Sequence, residues 1–126
     1  MNQLVVVALG GALGSVLRYL AQVWLGRLLG QGFPWGTLFV NVVGSLLMGV
    51  LVEAAGRVWS PSPELRAFLA VGILGGFTTF SSFSLDVGAL ASRGDWALAM
   101  VYVMATLMVG VGGFFVGLAL VRAVVS

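Results

Sequence analysis

Cysteine, histidine and lysine are all absent from this chain of 126 residues. Without cysteine there is no disulfide frame, no thiolate nucleophile and no iron–sulfur ligand set. Without histidine the commonest general base, metal ligand and near-neutral proton switch is missing. Charge is scarce: 8% of residues carry it, against about 25% in an ordinary soluble domain. Apolar residues make up 60% of the chain and the mean hydropathy is +1.13. A soluble domain of this size has more surface than so few charges cover. A soluble globular domain, a disordered segment and a nucleic-acid binder are therefore excluded. The pI near 10.0 comes from 6 arginines against 4 acids, and the arginines are scattered rather than gathered into a basic patch. No nucleophile–base pair or metal cluster is visible, so the chain reads as an integral membrane protein and not as an enzyme.

A helix crosses a bilayer with about 20 mostly apolar residues. Four segments qualify, at 3–25, 35–52, 67–85 and 96–121. Arg18 is the one charge inside them, and Asp86 directly follows the third. The pattern predicts an all-α membrane protein, a single four-helix domain over 1–126 with spans at about 3–28, 35–57, 64–90 and 96–122. The opening Met1-Asn2-Gln3 has no positive n-region, and the apolar stretch after it runs on into a full span, so it reads as a retained helix and not a signal peptide. Turn clusters separate the spans: Gly30-Gln31-Gly32-Phe33-Pro34, Ser60-Pro61-Ser62-Pro63-Glu64 and Ser92-Arg93-Gly94-Asp95. Ser62 is placed to cap a helix that has Pro63 at its first position. Trp35, Trp59 and Trp96 fall at span ends, as an aromatic belt requires.

The arginines barely specify an orientation. Four spans put Arg57, Arg66 and Arg122 on one side, and Arg27 and Arg93, with Arg18 nearby, on the other. The positive-inside rule finds almost no bias in that count. Two readings follow: a weak bias corrected by another signal, or dual topology, in which copies insert both ways and pair antiparallel.

Rows spaced by four share a helix face. Gly10, Gly14, Arg18 and Gln22 form one, Thr37, Asn41 and Ser45 a second, and Tyr102, Thr106 and Gly110 a third. For the glycines, among them the pairs Gly10/Gly14, Gly72/Gly76 and Gly113/Gly117, close helix packing is the favoured reading. For Asn41 a packing role and a pathway role weigh equally, because a mid-membrane amide is costly without a partner. Arg18 either snorkels to the headgroups or offers a cationic mouth to an anion, and the second is favoured. Asp86 reads as an interfacial end charge or a partner for an arginine.

The third span carries the strongest signal: Gly75-Gly76-Phe77-Thr78-Thr79-Phe80-Ser81-Ser82-Phe83-Ser84. Paired glycines followed by threonines and serines make a poor helix and predict a mid-membrane break. Carbonyls freed there must be buried in protein or line a cavity, where they are able to hold a cation. Phe80 and Phe83 lie three apart, and the positive edge of an aromatic ring solvates an anion without a trapping charge. By composition alone, ordinary lipid or core contact is the favoured reading of the two rings.

Taken in order with Gly10-Gly11-Ala12-Leu13-Gly14-Ser15-Val16-Leu17-Arg18-Tyr19 and Gly36-Thr37-Leu38-Phe39-Val40-Asn41-Val42-Val43-Gly44-Ser45, this motif resembles the Fluc (CrcB) fluoride channel family over the whole chain. The resemblance implies a plasma (inner) membrane protein that works as an antiparallel, dual-topology homodimer. It implies two fluoride pores and passive export of fluoride that entered as HF and ionised inside. It implies a structural Na⁺ at the dimer centre, held by backbone carbonyls of Gly75 and Thr78. Asn41, Phe80, Phe83, Thr79, Ser81, Tyr102, Thr106 and Arg18 are the implied fluoride-pathway residues, Tyr102 and Thr106 forming a hydroxyl-bearing track. Gly110 stands where a further hydroxyl is expected. Two other readings compete. A proton-coupled exporter like the small multidrug resistance proteins needs a carboxylate in the first helix, which has none, Glu53 and Asp86 being placed at helix ends. A non-transporting accessory subunit explains the packing glycines but not Asn41, Arg18 and the polar break together.

Overall fold

The computed structural model describes residues 2–125. Its helices Gln3–Leu29 and Trp35–Arg57, the interrupted span Pro63–Ser92, and Trp96–Val125 are each long and apolar enough to cross a membrane. No strand occurs among the described residues. The fold class expected from composition is the one observed.

Local chemistry sets the helix ends. The Asn2 side chain accepts from the Leu4 amide at 2.7 Å and caps the first helix. Gly30, at φ +85, ends it and donates to the Gly26 carbonyl. Ser62 accepts from the Leu65 amide at 3.1 Å with Pro63 in the first turn, as its sequence context indicates. The third span continues to Ser92. Asp86 therefore lies within a helix that runs six residues past it. The segment is less apolar there, but Tyr102 partners the carboxylate, so the helix has no need to stop.

The first helix packs against the second helix on one side and the first half of the third span on the other. The second helix packs on the latter part of the fourth, and the second half of the third span on the fourth helix's beginning. In lipid, helices gain little from burying apolar surface against each other, so close backbone approach does the packing. Glycines make that approach. A Cβ on Gly10 would lie 2.6 Å from the Phe68 carbonyl oxygen, and one on Gly76 would lie 2.7 Å from that of Gly11. At the second–fourth crossing, Gly49 faces the Phe114 carbonyl, and a Cβ on Gly117 would lie 2.8 Å from the Val50 amide nitrogen. Gly113 is a looser contact, 3.5 Å from the Val42 carbonyl by the same measure.

Two stretches, Ala67–Leu74 and Thr106–Gly110, are wound as π-helix. Such widened turns rotate side chains out of α-helical register and recur at functional sites. The second stretch begins at Thr106, on the site described below.

At one end of the bundle, Glu53 accepts from Arg122 at 2.9 Å and from Arg57. At the other, Arg93 pairs with Asp95 at 3.0 Å and donates to the Gly32 carbonyl at 3.1 Å, tying the first and third turn clusters together.

Gly76→Val should lower the thermal stability of the purified protein by about 1–3 kcal/mol, the usual cost of overpacking. Gly112→Ala, where a Cβ meets nothing within 4 Å, should leave the melting temperature almost unchanged in the same assay.

Candidate functional site

The third span breaks where the sequence predicts. Helix runs to Phe77, then Thr78 (φ −85, ψ 159) and Thr79 (φ −153, ψ 120) are extended, and helix resumes at Phe80. The Thr78 amide still donates to the Leu74 carbonyl at 3.1 Å, but the Thr79 amide leaves the helical ladder and orphans a carbonyl one turn back. Each exposed group then needs a partner in the membrane.

Asn41 on the second helix supplies two of them. Its Oδ1 accepts from the Thr79 amide at 2.7 Å, and its Nδ2 donates to the Thr79 carbonyl at 3.0 Å. The side chain pairs with the extended backbone as a neighbouring strand would. The Thr79 hydroxyl accepts from the Ser82 amide at 3.1 Å and caps the second half-helix. The Thr78 hydroxyl donates to the Leu74 carbonyl at 3.1 Å. On the opposite side of the break, Arg18 Nε donates to the Gly76 carbonyl at 3.0 Å. Arg18 is thus not drawn out to the headgroups; it is fixed beside the break. Gly75 is left without its helical donor, since the Thr79 amide that would serve its carbonyl is bound to Asn41.

The break opens onto a groove of about 260 Å³ lined from three elements. The second helix contributes Asn41 and Ser45, the third span Thr78, Thr79, Phe80 and Phe83, and the fourth helix the turn from Thr106 to Val111. The Thr106 hydroxyl is buried and has no hydrogen-bond partner among the described residues. Gly110 lines the groove and has open space where a Cβ would be. Phe80 is 78% exposed and Phe83 8%, with ring centroids 5.7 Å apart. Ser81 is exposed, its hydroxyl 3.5 Å from that of Thr79.

Tyr102 stands behind the groove. It is fully buried, its ring 5.2 Å from Phe83 and edge-on to Phe33 at 5.4 Å. Its hydroxyl donates to Asp86 at 3.0 Å. Its proton is committed to that carboxylate, so of the expected hydroxyl track only Thr106 is among the groove-lining residues. Thr37, in the same row as Asn41, accepts from Gln22 at 3.1 Å.

The structure therefore brings Asn41, Thr79, Phe80, Phe83 and Thr106 together, with Ser81 beside them. It places Tyr102 one layer behind, and Arg18 and Gly75 away from the groove lining. Ser45 and the π-helical turn were absent from the sequence-derived site. Ser45 was legible in the row with Asn41. The turn was not, because no residue type signals a π-helix.

A multi-pass membrane protein with a mid-membrane break beside a polar groove is the class this geometry defines. The family of CrcB-like proteins, described as camphor resistance (CrcB), matches residues 5–118. Similar proteins include one from Rhodospirillum centenum, 56% identical over 126 residues and 100% of both chains. One from Agrobacterium fabrum is 55% identical over 97% of this chain and 98% of its own. One from Rhizobium meliloti is 50% identical over 99% of this chain and 100% of its own. Each of the three is named a fluoride-specific ion channel FluC. The chain belongs to the CrcB family.

Asn41→Leu should speed hydrogen exchange at the Thr79 amide and destabilise the protein by about 1–3 kcal/mol, the cost of stranding buried polar groups. Thr106→Val, which strands no partner, should leave that exchange rate unchanged.

Proposed function

We propose that the chain is a fluoride channel of the plasma membrane, exporting fluoride passively along the groove at the helix break. The observation that carries this reading is the match, over essentially the full chain, to relatives named for fluoride conduction. The groove supports it chemically. Fluoride is small and strongly hydrated, so its passage needs donors that replace water without holding the ion too tightly. Asn41 uses one N–H of its amide on Thr79 and has a second to offer. The Thr106 hydroxyl has no competing acceptor. The Thr79 hydroxyl accepts from Ser82, which leaves its proton to donate. Phe80 and Phe83 line the groove beside these groups, and the positive edge of an aromatic ring solvates an anion. Arg18, bound to the Gly76 carbonyl outside the lining, raises the local potential without trapping the ion.

In this reading two copies pair antiparallel. Phe80 at mid-membrane and the open side of the groove are then covered by the partner, giving two pathways per dimer. A Na⁺ at the centre of the pair fits the chain's donors, because the Gly75 carbonyl has lost its helical amide; the carbonyls of Gly75 and Thr78 would hold it. Its positive charge would join the two copies and favour an anion nearby.

Fluoride efflux from proteoliposomes under a K⁺ gradient, with and without valinomycin, tests the proposal. Rapid efflux that requires valinomycin, with little chloride efflux, is expected. Folded, reconstituted protein that passes no fluoride would refute it. Phe80→Ile and Phe83→Ile should each slow that efflux, on the order of tenfold if a ring edge supplies about 1.4 kcal/mol, with the dimer intact on size-exclusion chromatography. Unchanged flux in both would remove the ring-edge role. Tags on the C-terminus should appear on both faces of the membrane in similar amounts; a single-sided result excludes dual topology.

A further inference from the structure

The end of the bundle that holds Arg57, Arg66 and Arg122 has an apolar crevice between the last turns of the second helix and the first turns of the third span. It measures about 270 Å³ and is lined by Leu51, Val52, Ala55, Gly56 and Ala70, with Arg66 at its lip. The floor is open because Gly56 presents no side chain, and a Cβ there would meet nothing within 4 Å. Arg66 also borders a second crevice on its other side, beside Gln3 and Val71.

The arginines at this end are not equivalent. Arg57 and Arg122 both pair with Glu53. Arg66 is exposed, and its side chain makes no hydrogen bond or ion pair among the described residues, not even with Glu64 two residues before it. A guanidinium lacking an acceptor, above a crevice lined by aliphatic groups at the depth where a spanning helix ends, matches one ligand chemistry: an anionic headgroup joined to a hydrocarbon chain. A free phosphate would satisfy Arg66 and leave the crevice empty. An inverted second copy would bring to this depth the end whose acids, Asp86 and Asp95, are already bonded to Tyr102 and Arg93, so it offers Arg66 no free carboxylate.

We propose that this crevice is a binding site for an anionic membrane phospholipid, its phosphate paired with Arg66 and its acyl chain lying along Val52, Ala55 and Ala70. The site lies apart from the groove at the break and stands whether or not the groove conducts fluoride.

Native mass spectrometry of the purified full-length protein, equilibrated with equal phosphatidylglycerol and phosphatidylcholine, reads the site directly. The unmodified chain should retain phosphatidylglycerol in preference. Arg66→Gln should reduce that preference roughly fivefold, as expected for one arginine at a membrane surface. Ala55→Trp, which fills the crevice and leaves the charge, should reduce total retained lipid. Arg57→Gln, at the same end but engaged with Glu53, should leave the preference unchanged. An unaltered preference in Arg66→Gln, or equal losses in Arg66→Gln and Arg57→Gln, would overturn the site. Because the chain has no native cysteine, Ala55→Cys also distinguishes a protein occupant. Labelling at that position by a membrane-permeant maleimide once lipid has been stripped with detergent supports the lipid assignment; protection that persists in the delipidated dimer would show that a second copy covers the crevice and would overturn it.

Discussion

The pairing of the Asn41 amide with the backbone of Thr79 is the constraint on which the rest of the site depends. A membrane helix is stable because each peptide group finds its partner four residues away, and two extended residues break that arrangement where no water replaces it. Asn41 satisfies the Thr79 amide and carbonyl together, at 2.7 and 3.0 Å. Leucine at that position offers neither partner, and the extended pair would be driven back toward helix. With the pair held open, the third span becomes two half-helices. The Thr79 hydroxyl starts the second of them, Phe80 and Phe83 follow on its first turn, and the Gly76 carbonyl is taken up by Arg18.

The glycine crossings make the break affordable in space. The first half of the third span is locked against the first helix through backbone contacts at Gly10, Gly72, Gly76 and Gly11, and the second half leans on the fourth helix instead. Each half therefore answers to a different neighbour, and the groove is the gap between those two allegiances. The π-helical turn at Thr106–Gly110 fits the same geometry: it opens the wall opposite Asn41 and leaves the Thr106 hydroxyl buried without an acceptor. An unpaired buried hydroxyl costs stability in a core. Next to a polar groove, an unpaired donor is what the proposed conduction of an anion would draw on.

Much of this was legible in the sequence, because the membrane leaves few alternatives. Four apolar runs give four helices. Paired glycines at four-residue spacing give close crossings, and a Gly-Gly-Phe-Thr-Thr run gives a break. The rows containing Asn41 and Thr106 meet at the groove, and Arg18 in its row reaches the third span. What the residues did not disclose was partnership. Asn41 weighed equally as pathway or packing residue, and the structure shows an amide that clamps the break and also lines the groove. Arg18 was read as a mouth or a snorkelling end, yet it binds the Gly76 carbonyl. Asp86 looked like a span terminus because charge usually ends a span; here a tyrosine 16 positions later in the chain donates to it and the helix runs on. Such pairings join residues distant in sequence, and periodicity on one helix carries no information about them.

A groove that passes fluoride and excludes chloride, as proposed, would set the reversal potential of single channels in a planar bilayer. With a tenfold fluoride gradient balanced by chloride, the current should reverse close to the fluoride equilibrium potential, about 59 mV for a monovalent ion. Reversal near zero, the signature of a pore indifferent to the two anions, would contradict the account.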